Sequence, residues 1–143
     1  MSRRRRAREV VMQLLYRDDL NGVASAESDQ RFLSKRLNAN AGLVKFADTI
    51  LQGVRQYSEQ IDTQLETIAE NWTLSRMAAT DRNILRVATW EIMFSDTPPA
   101  VAIDEAIELA KRYGAVDSPK FVNGLLDRLV KQSVSSNLSL IHI

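Results

Sequence analysis

The chain has 143 residues, 45% hydrophobic and 26% charged, with no cysteine; this predicts one soluble globular domain and excludes a disulfide framework and a thiolate metal site. The net charge of +1 hides an asymmetry, because the first eight residues carry five arginines and no acid, while the remainder holds 14 Lys/Arg against 18 Asp/Glu and is net −4. No apolar run approaches the roughly 18 residues that span a bilayer, and Glu9, Gln13 and Arg17 interrupt the segment behind the arginines, which argues against a signal peptide.

The periodicity is helical nearly throughout and predicts an all-α protein of about seven helices. The first runs from about Arg3 to Leu20, with Val10, Val11, Leu14 and Leu15 as its buried stripe and Asn21-Gly22 as its stop. Residues 22–30 are small and polar and read as a loop. A short helix follows, about Asp29 to Leu37, burying Phe32, Leu33 and Leu37. Leu43 to Glu70 carries two stripes, one through Leu43, Phe46, Ile50 and Val54, the other through Ile61, Leu65 and Ile68. Gly53 and the polar run 56–60 divide it into two helices. Trp72 to Ala79 reads as a connector.

Thr80 or Asp81 is expected to cap the next helix, whose face is Ile84, Leu85, Val87, Ala88 and Ile92, and which ends at Ser95 to Pro99. Pro98-Pro99 also suits the opening turn of a sixth helix, ending at Gly114. Asp117-Ser118-Pro119 opens a seventh, with Val122, Leu125, Leu126 and Leu129 on its apolar face. Short connections favour antiparallel neighbours. Residues 1–133 are read as a single domain. Residues 134–143 lack a helical stripe and are read as a flexible tail, with an ending that resembles translated read-through of an assembled DNA fragment.

Arg3, Arg4, Arg5, Arg6 and Arg8 are the strongest functional signal. A concentrated cationic block marks contact with a polyanion, most often nucleic acid. These arginines also stand where the helix dipole favours acids, and Arg4 and Arg8 form a like-charged i,i+4 pair. A local rule broken without visible compensation points to function. If all five met single-stranded phosphates, log K would fall against log salt with a slope of about −3.5. The competing reading is a solvated arm that aids solubility.

The start of the last helix is a second candidate. Its exposed N–H groups suit a phosphate, Lys120 adds a charge, and Phe121 offers a ring for base stacking. Phe121 equally fits the apolar face. Gly124 costs about 1 kcal/mol relative to alanine within a helix, which suggests a closely crossing neighbour. A third candidate is a partner surface at Tyr16, beside Asp18 and Asp19, with Asp81 brought close in a bundle; an ordinary rim tyrosine with solvated carboxylates is the alternative.

Enzyme signatures are missing from the sequence. No Gly-rich phosphate loop occurs, and the single histidine, His142, lies in the tail, so no catalytic residue is assigned. Asp62, Glu66 and Glu70, and likewise Asp104 and Glu108, align at helical spacing but read as solvated acidic faces rather than metal ligands. No metal and no cofactor is expected.

Particular strings carry a resemblance. Arg4-Arg5-Arg6-Ala7-Arg8-Glu9 leads into Leu15-Tyr16; Ile84-Leu85-Arg86-Val87-Ala88 follows; then Val101-Ala102-Ile103-Asp104-Glu105-Ala106-Ile107-Glu108-Leu109-Ala110-Lys111; then Asp117-Ser118-Pro119-Lys120-Phe121-Val122-Asn123-Gly124. Over about residues 3 to 131 the chain resembles the NusB transcription antitermination family. That resemblance implies an all-α fold of two packed helical-bundle subdomains. It implies a non-enzymatic, cytoplasmic protein that binds the boxA element of nascent ribosomal RNA, a single strand, together with the small ribosomal subunit protein NusE. Such a protein acts within an RNA polymerase antitermination complex and supports ribosomal RNA transcription and maturation. By position, Arg3, Arg4, Arg5, Arg6 and Arg8 match the family's RNA-binding segment, Lys120 and Phe121 its second RNA-facing region, and Tyr16 and Asp81 positions that face the ribosomal protein. The free protein is expected as a monomer or homodimer, off the membrane. The runner-up is a NusB-like RNA-binding domain of a truncated ribosomal RNA methyltransferase, and a third class is a helical module that meets lipid head groups through its arginines.

Overall fold

The computed structural model describes residues 2–70 and 72–141, with side chains through residue 133. Among these, all regular structure is helical: α1 (Arg3–Asn21), α2 (Ala26–Arg36), α3 (Ala41–Gln56), α4 (Ser58–Ile68), α5 (Ala79–Phe94), α6 (Pro99–Tyr113) and α7 (Ser118–Ile141), with a 3₁₀ turn at Leu74–Arg76 before α5. The seven α-helices match the number expected. An N-terminal group, α1 to α3, and a C-terminal group, α4 to α7, meet on α5, which packs against α1, α3, α4, α6 and α7. One continuous apolar core runs through both groups, from Val10, Val11 and Leu14 of α1 to Val122, Leu126 and Leu129 of α7.

The helix ends follow local chemistry. Ser2 caps α1 by accepting the Arg5 N–H at 3.1 Å. Gly22 closes it at φ 78°, in the left-handed region that glycine enters freely. Helix α2 begins earlier than the apolar pattern suggests, because Ser25 caps it and accepts the Ser28 N–H at 3.2 Å; Glu27 and Asp29 in the first turn then favour the dipole. Asn40 caps α3 through the Leu43 N–H.

The expected division between α3 and α4 falls at Tyr57, within the polar run 56–60, and not at Gly53. Gly53 stays inside α3 because α5 crosses there, and an added Cβ would lie within the indole of Trp90. At α5 the expected cap is corrected: Ala78 holds the N-cap position with no side-chain bond, and Asp81 lies within the first turn. Its carboxylate is directed across to α7. The backbone of α7 remains helical to Ile141, past the point where the apolar stripe ends. The side chains of the expected tail, 134–143, lie outside the described residues.

Helix α5 is buried on nearly all sides, with Asp81, Asn83, Thr89 and Glu91 among its buried residues. A helix enclosed in this way is expected to pair its polar groups internally, and most of them do so here, although Thr89 Oγ1, Asp81 Oδ1 and Trp90 Nε1 have no hydrogen-bond partner among the described residues. Asn83 donates to Asp19 of α1 at 2.9 Å, Arg86 spans Asp19 of α1 and Asp62 of α4, and Ser118 of α7 donates to Asp81 at 3.0 Å. Burial alone would raise the Asp19 carboxyl, but the hydrogen bonds from Asn83, Arg86 and Arg82 outweigh it and hold it below the ordinary range. A separate node ties α1, α2 and α3, where Arg55 binds Asp18 at 2.8 Å and Asp29 at 2.7 Å.

Replacing Gly53 with alanine is expected to destabilise the protein by about 2 kcal/mol, because Trp90 must move from a packed site. Urea denaturation followed by tryptophan fluorescence measures it.

Candidate nucleic-acid interface

The five N-terminal arginines separate into two sets. Arg8 is 4% exposed. It donates to Glu91 of α5 through Nε at 2.7 Å and Nη2 at 2.9 Å. Arg6 pairs with Glu9, one turn along α1. Arg5 forms a two-point pair with Glu105 of α6, at 2.8 and 3.1 Å. The compensation invisible in the sequence is therefore supplied by Glu9, Glu91 and Glu105, two of them from helices distant in the chain. The five arginines are thus not equally exposed: Arg8 is a buried tie between α1 and α5. Glu9 also lies 3.7 Å from Arg112, and burial together with Glu9 pushes the Tyr113 phenol up.

Arg3 and Arg4 differ. Both are exposed, and neither joins an ion pair among the described residues. The Arg4 guanidinium lies 4.8 Å from the centre of the Phe46 ring on α3, a cation–π contact that orients the group while leaving its N–H edges free. The two arginines line an open cleft of about 630 Å³, closed opposite by Asp96, Thr97 and Pro98 of the α5–α6 loop and by Val101 and Glu105 of α6.

Lys120 and Phe121 lie elsewhere. Arg5 faces Glu105 early in α6, whereas Ser118 bonds Ala115 just beyond its end. The two candidate regions thus stand near opposite ends of α6, a 15-residue helix about 22 Å long. Lys120 is exposed and Phe121 half-buried. Phe121 meets Trp72 edge to face, with ring centres 5.9 Å apart. Trp72 is 52% exposed. Together with Lys120, Gly124 and Arg128, these rings line a cleft of about 230 Å³. Gly124 has no crossing helix against it: a Cβ there would meet nothing within 4 Å. That glycine leaves the floor of the cleft bare, which suits close approach of a ligand to the backbone.

Tyr16 is 43% exposed, with Leu20 and Val23 exposed near it on and just beyond the end of α1. Asp18 and Asp19, its acidic neighbours in sequence, are not free surface charges, since both hold arginines of other helices. Asp81 is 9% exposed and bonded to Ser118. It occupies the same end of the bundle as Tyr16, because Asp19 of α1 binds Asn83 one turn away. The structure thus pairs Arg3 with Arg4 and Lys120 with Phe121, and keeps those pairs apart.

Trp72 escaped the sequence reading, although a tryptophan in an irregular connector, outside every apolar stripe, was its signal. Glu91 and Glu105 had no such signal, lying 83 and 100 positions from their arginines.

An all-helical bundle with two cationic clefts, one backed by the exposed Trp72 and the half-buried Phe121, has the features of a nucleic-acid-binding module. Residues 5–131 match the NusB family, and the chain belongs to it. The transcription antitermination protein NusB of Desulfotalea psychrophila is 47% identical over 133 residues, covering 89% of this chain and 94% of that protein. That of Desulfitobacterium hafniense is 42% identical over 130 residues, covering 90% and 88%. Among solved structures, T. maritima NusB superposes with a TM-score of 0.79 at 37% identity, covering 90% of each chain. A crystal structure of antitermination factors NusB and NusE in complex with dsRNA gives 0.81 at 26% identity, covering 92% of this chain and 98% of that one.

Glu91→Gln leaves the Arg8 charge buried without its main partner. The expected loss is about 3 kcal/mol of stability in urea denaturation at neutral pH, larger than for Glu105→Gln in its partly exposed pair.

Proposed function

We propose that this protein is a non-enzymatic RNA-binding antitermination factor. In this reading it captures a boxA-like single strand of nascent ribosomal RNA together with a NusE-type ribosomal protein, within the RNA polymerase antitermination complex of the cytoplasm. Support comes from the family itself, from relatives that bear the name transcription antitermination protein, and, for RNA and NusE as partners, from the solved NusB and NusE complex with dsRNA; the preference for a single strand rests on the aromatic rings beside Lys120. The observation that carries the reading is Arg4 held on Phe46 beside Arg3, which joins no ion pair among the described residues, over an open cleft.

Arg3 and Arg4 meet phosphates of one stretch of RNA, with Arg5 and Arg6 at the rim and Arg8 fixing the helix that presents them. Lys120 meets a phosphate further along. Phosphate contacts position the strand and carry no sequence information; Trp72 and Phe121 take bases that have left their stack, which favours single-stranded over duplex RNA. The separation of the two regions means that one strand must run along α6 to engage both. Tyr16, with Leu20 and Val23, offers the apolar face for the ribosomal protein, and Asp81 contributes there chiefly by holding α5 to α7.

The methyltransferase-domain reading is weaker, because relatives matched over 88–94% of their own length are antitermination proteins. Among the described residues no helix is long and apolar enough to cross a membrane; the lipid reading concerns a surface contact of the arginines with head groups, which liposome co-sedimentation tests.

Filter-binding titrations over a range of salt, with boxA RNA, a scrambled strand and a duplex, test the reading, with and without the purified ribosomal protein. Arg3→Ala/Arg4→Ala is expected to flatten the slope of log K against log salt by about 1.4, two single-strand contacts. Trp72→Ala is expected to weaken boxA binding by about 1–3 kcal/mol with the slope unchanged. Equal binding of the unaltered protein to all three RNAs would sink the proposal.

A further inference from the structure

We infer that Glu105 is an internal stand-in for phosphate, occupying Arg5 in the free protein and surrendering it when RNA enters the cleft. This rests on the RNA-binding reading above and assigns a gating residue to that site. The Arg5 fork grips Glu105 through Nε at 2.8 Å and Nη2 at 3.1 Å, the same two-point geometry that an arginine offers a phosphate. Glu105 lines the cleft that Arg3 and Arg4 line, so it meets any strand that those arginines bring in.

Two features make the exchange feasible. The Arg5 and Glu105 side chains are 28% and 15% exposed, so solvent reaches the pair and screens it in part. Arg8, which also borders the cleft, and Glu91 are only 5% and 1% exposed and are expected to stay together. Glu105 also lies 3.9 Å from Nη1 of Arg8. A Glu105 released by Arg5 therefore keeps a cation beside it, and no carboxylate is orphaned. The consequence is a threshold. Every polyanion must displace Glu105 to use Arg5, so strands without additional base contacts are held less strongly at working salt.

The test uses the full chain with boxA RNA and a uridine homopolymer of equal length. Arg5→Ala is expected to flatten the salt slope by about 0.7, one single-strand phosphate contact; an unchanged slope means that Arg5 never leaves Glu105 and overturns the inference. Glu105→Gln is expected to tighten both RNAs about threefold, within the range of a partly exposed ion pair. Weaker or unchanged binding would make Glu105 a positioning residue for Arg5 and overturn it. In the Arg5→Ala background the Glu105→Gln gain is expected to vanish; a gain of full size there reflects only the general field of the cleft and also overturns it. Failure of the unaltered protein to bind either RNA instead removes the functional reading itself, which separates the two failures.

Discussion

Burial of α5 on nearly every side is the constraint from which the rest of the architecture follows. Its apolar residues fill the core, but Asp81, Asn83, Arg86 and Glu91 lie among them or at their edge, and each must find a partner where water is excluded. The partners come from the surrounding helices: Asp19 and Arg8 of α1, Asp62 of α4, Ser118 of α7. The polar groups of one helix thereby set the positions of three others. Apolar packing alone tolerates some sliding between helices, whereas hydrogen-bonded charges do not.

The same pairings place the functional groups. Arg8 closes on Glu91 and fixes the first turns of α1 over the end of α5, so Arg3 and Arg4 project at the mouth of the cleft. Ser118 bonds both Ala115 and Asp81, which sets the direction in which α7 departs and carries Lys120 and Phe121 to the other end of α6. A disordered cationic arm would bind polyanions with a larger loss of conformational freedom. Here the arm begins as a capped helix, and Phe46 lies under Arg4 to orient it.

Much of the helical order was legible. The stripes of α1, α6 and α7 needed only local periodicity, and Asn21-Gly22 and Pro98-Pro99 marked ends that the structure shares. The start of α2 was missed because Ser25 terminates a polar run that looks like loop, and caps act through one hydrogen bond that no periodicity reveals. Of the two signals for a break, the polar run 56–60 contains it, whereas Gly53 is a notch for Trp90. Gly124 was read as a notch and is instead open floor. Glycine in a helix announces that a Cβ is unwelcome or unneeded; what occupies the space depends on a crossing helix that local sequence does not specify.

The amino-acid order by itself determined the all-helical class, the stripes that form the core, and the concentration of positive charge at one terminus, because each depends on neighbours within a few turns. Only the tertiary structure decided which of those charges remain available. Arg3 and Arg8 are the same residue type in the same helix, and no nearby residue distinguishes them. Burial against a carboxylate 83 positions away makes one a structural tie, and solvent leaves the other free. Electrostatic role is a property of the dielectric and the partner, and both are assembled by contacts between parts of the chain that are remote in sequence.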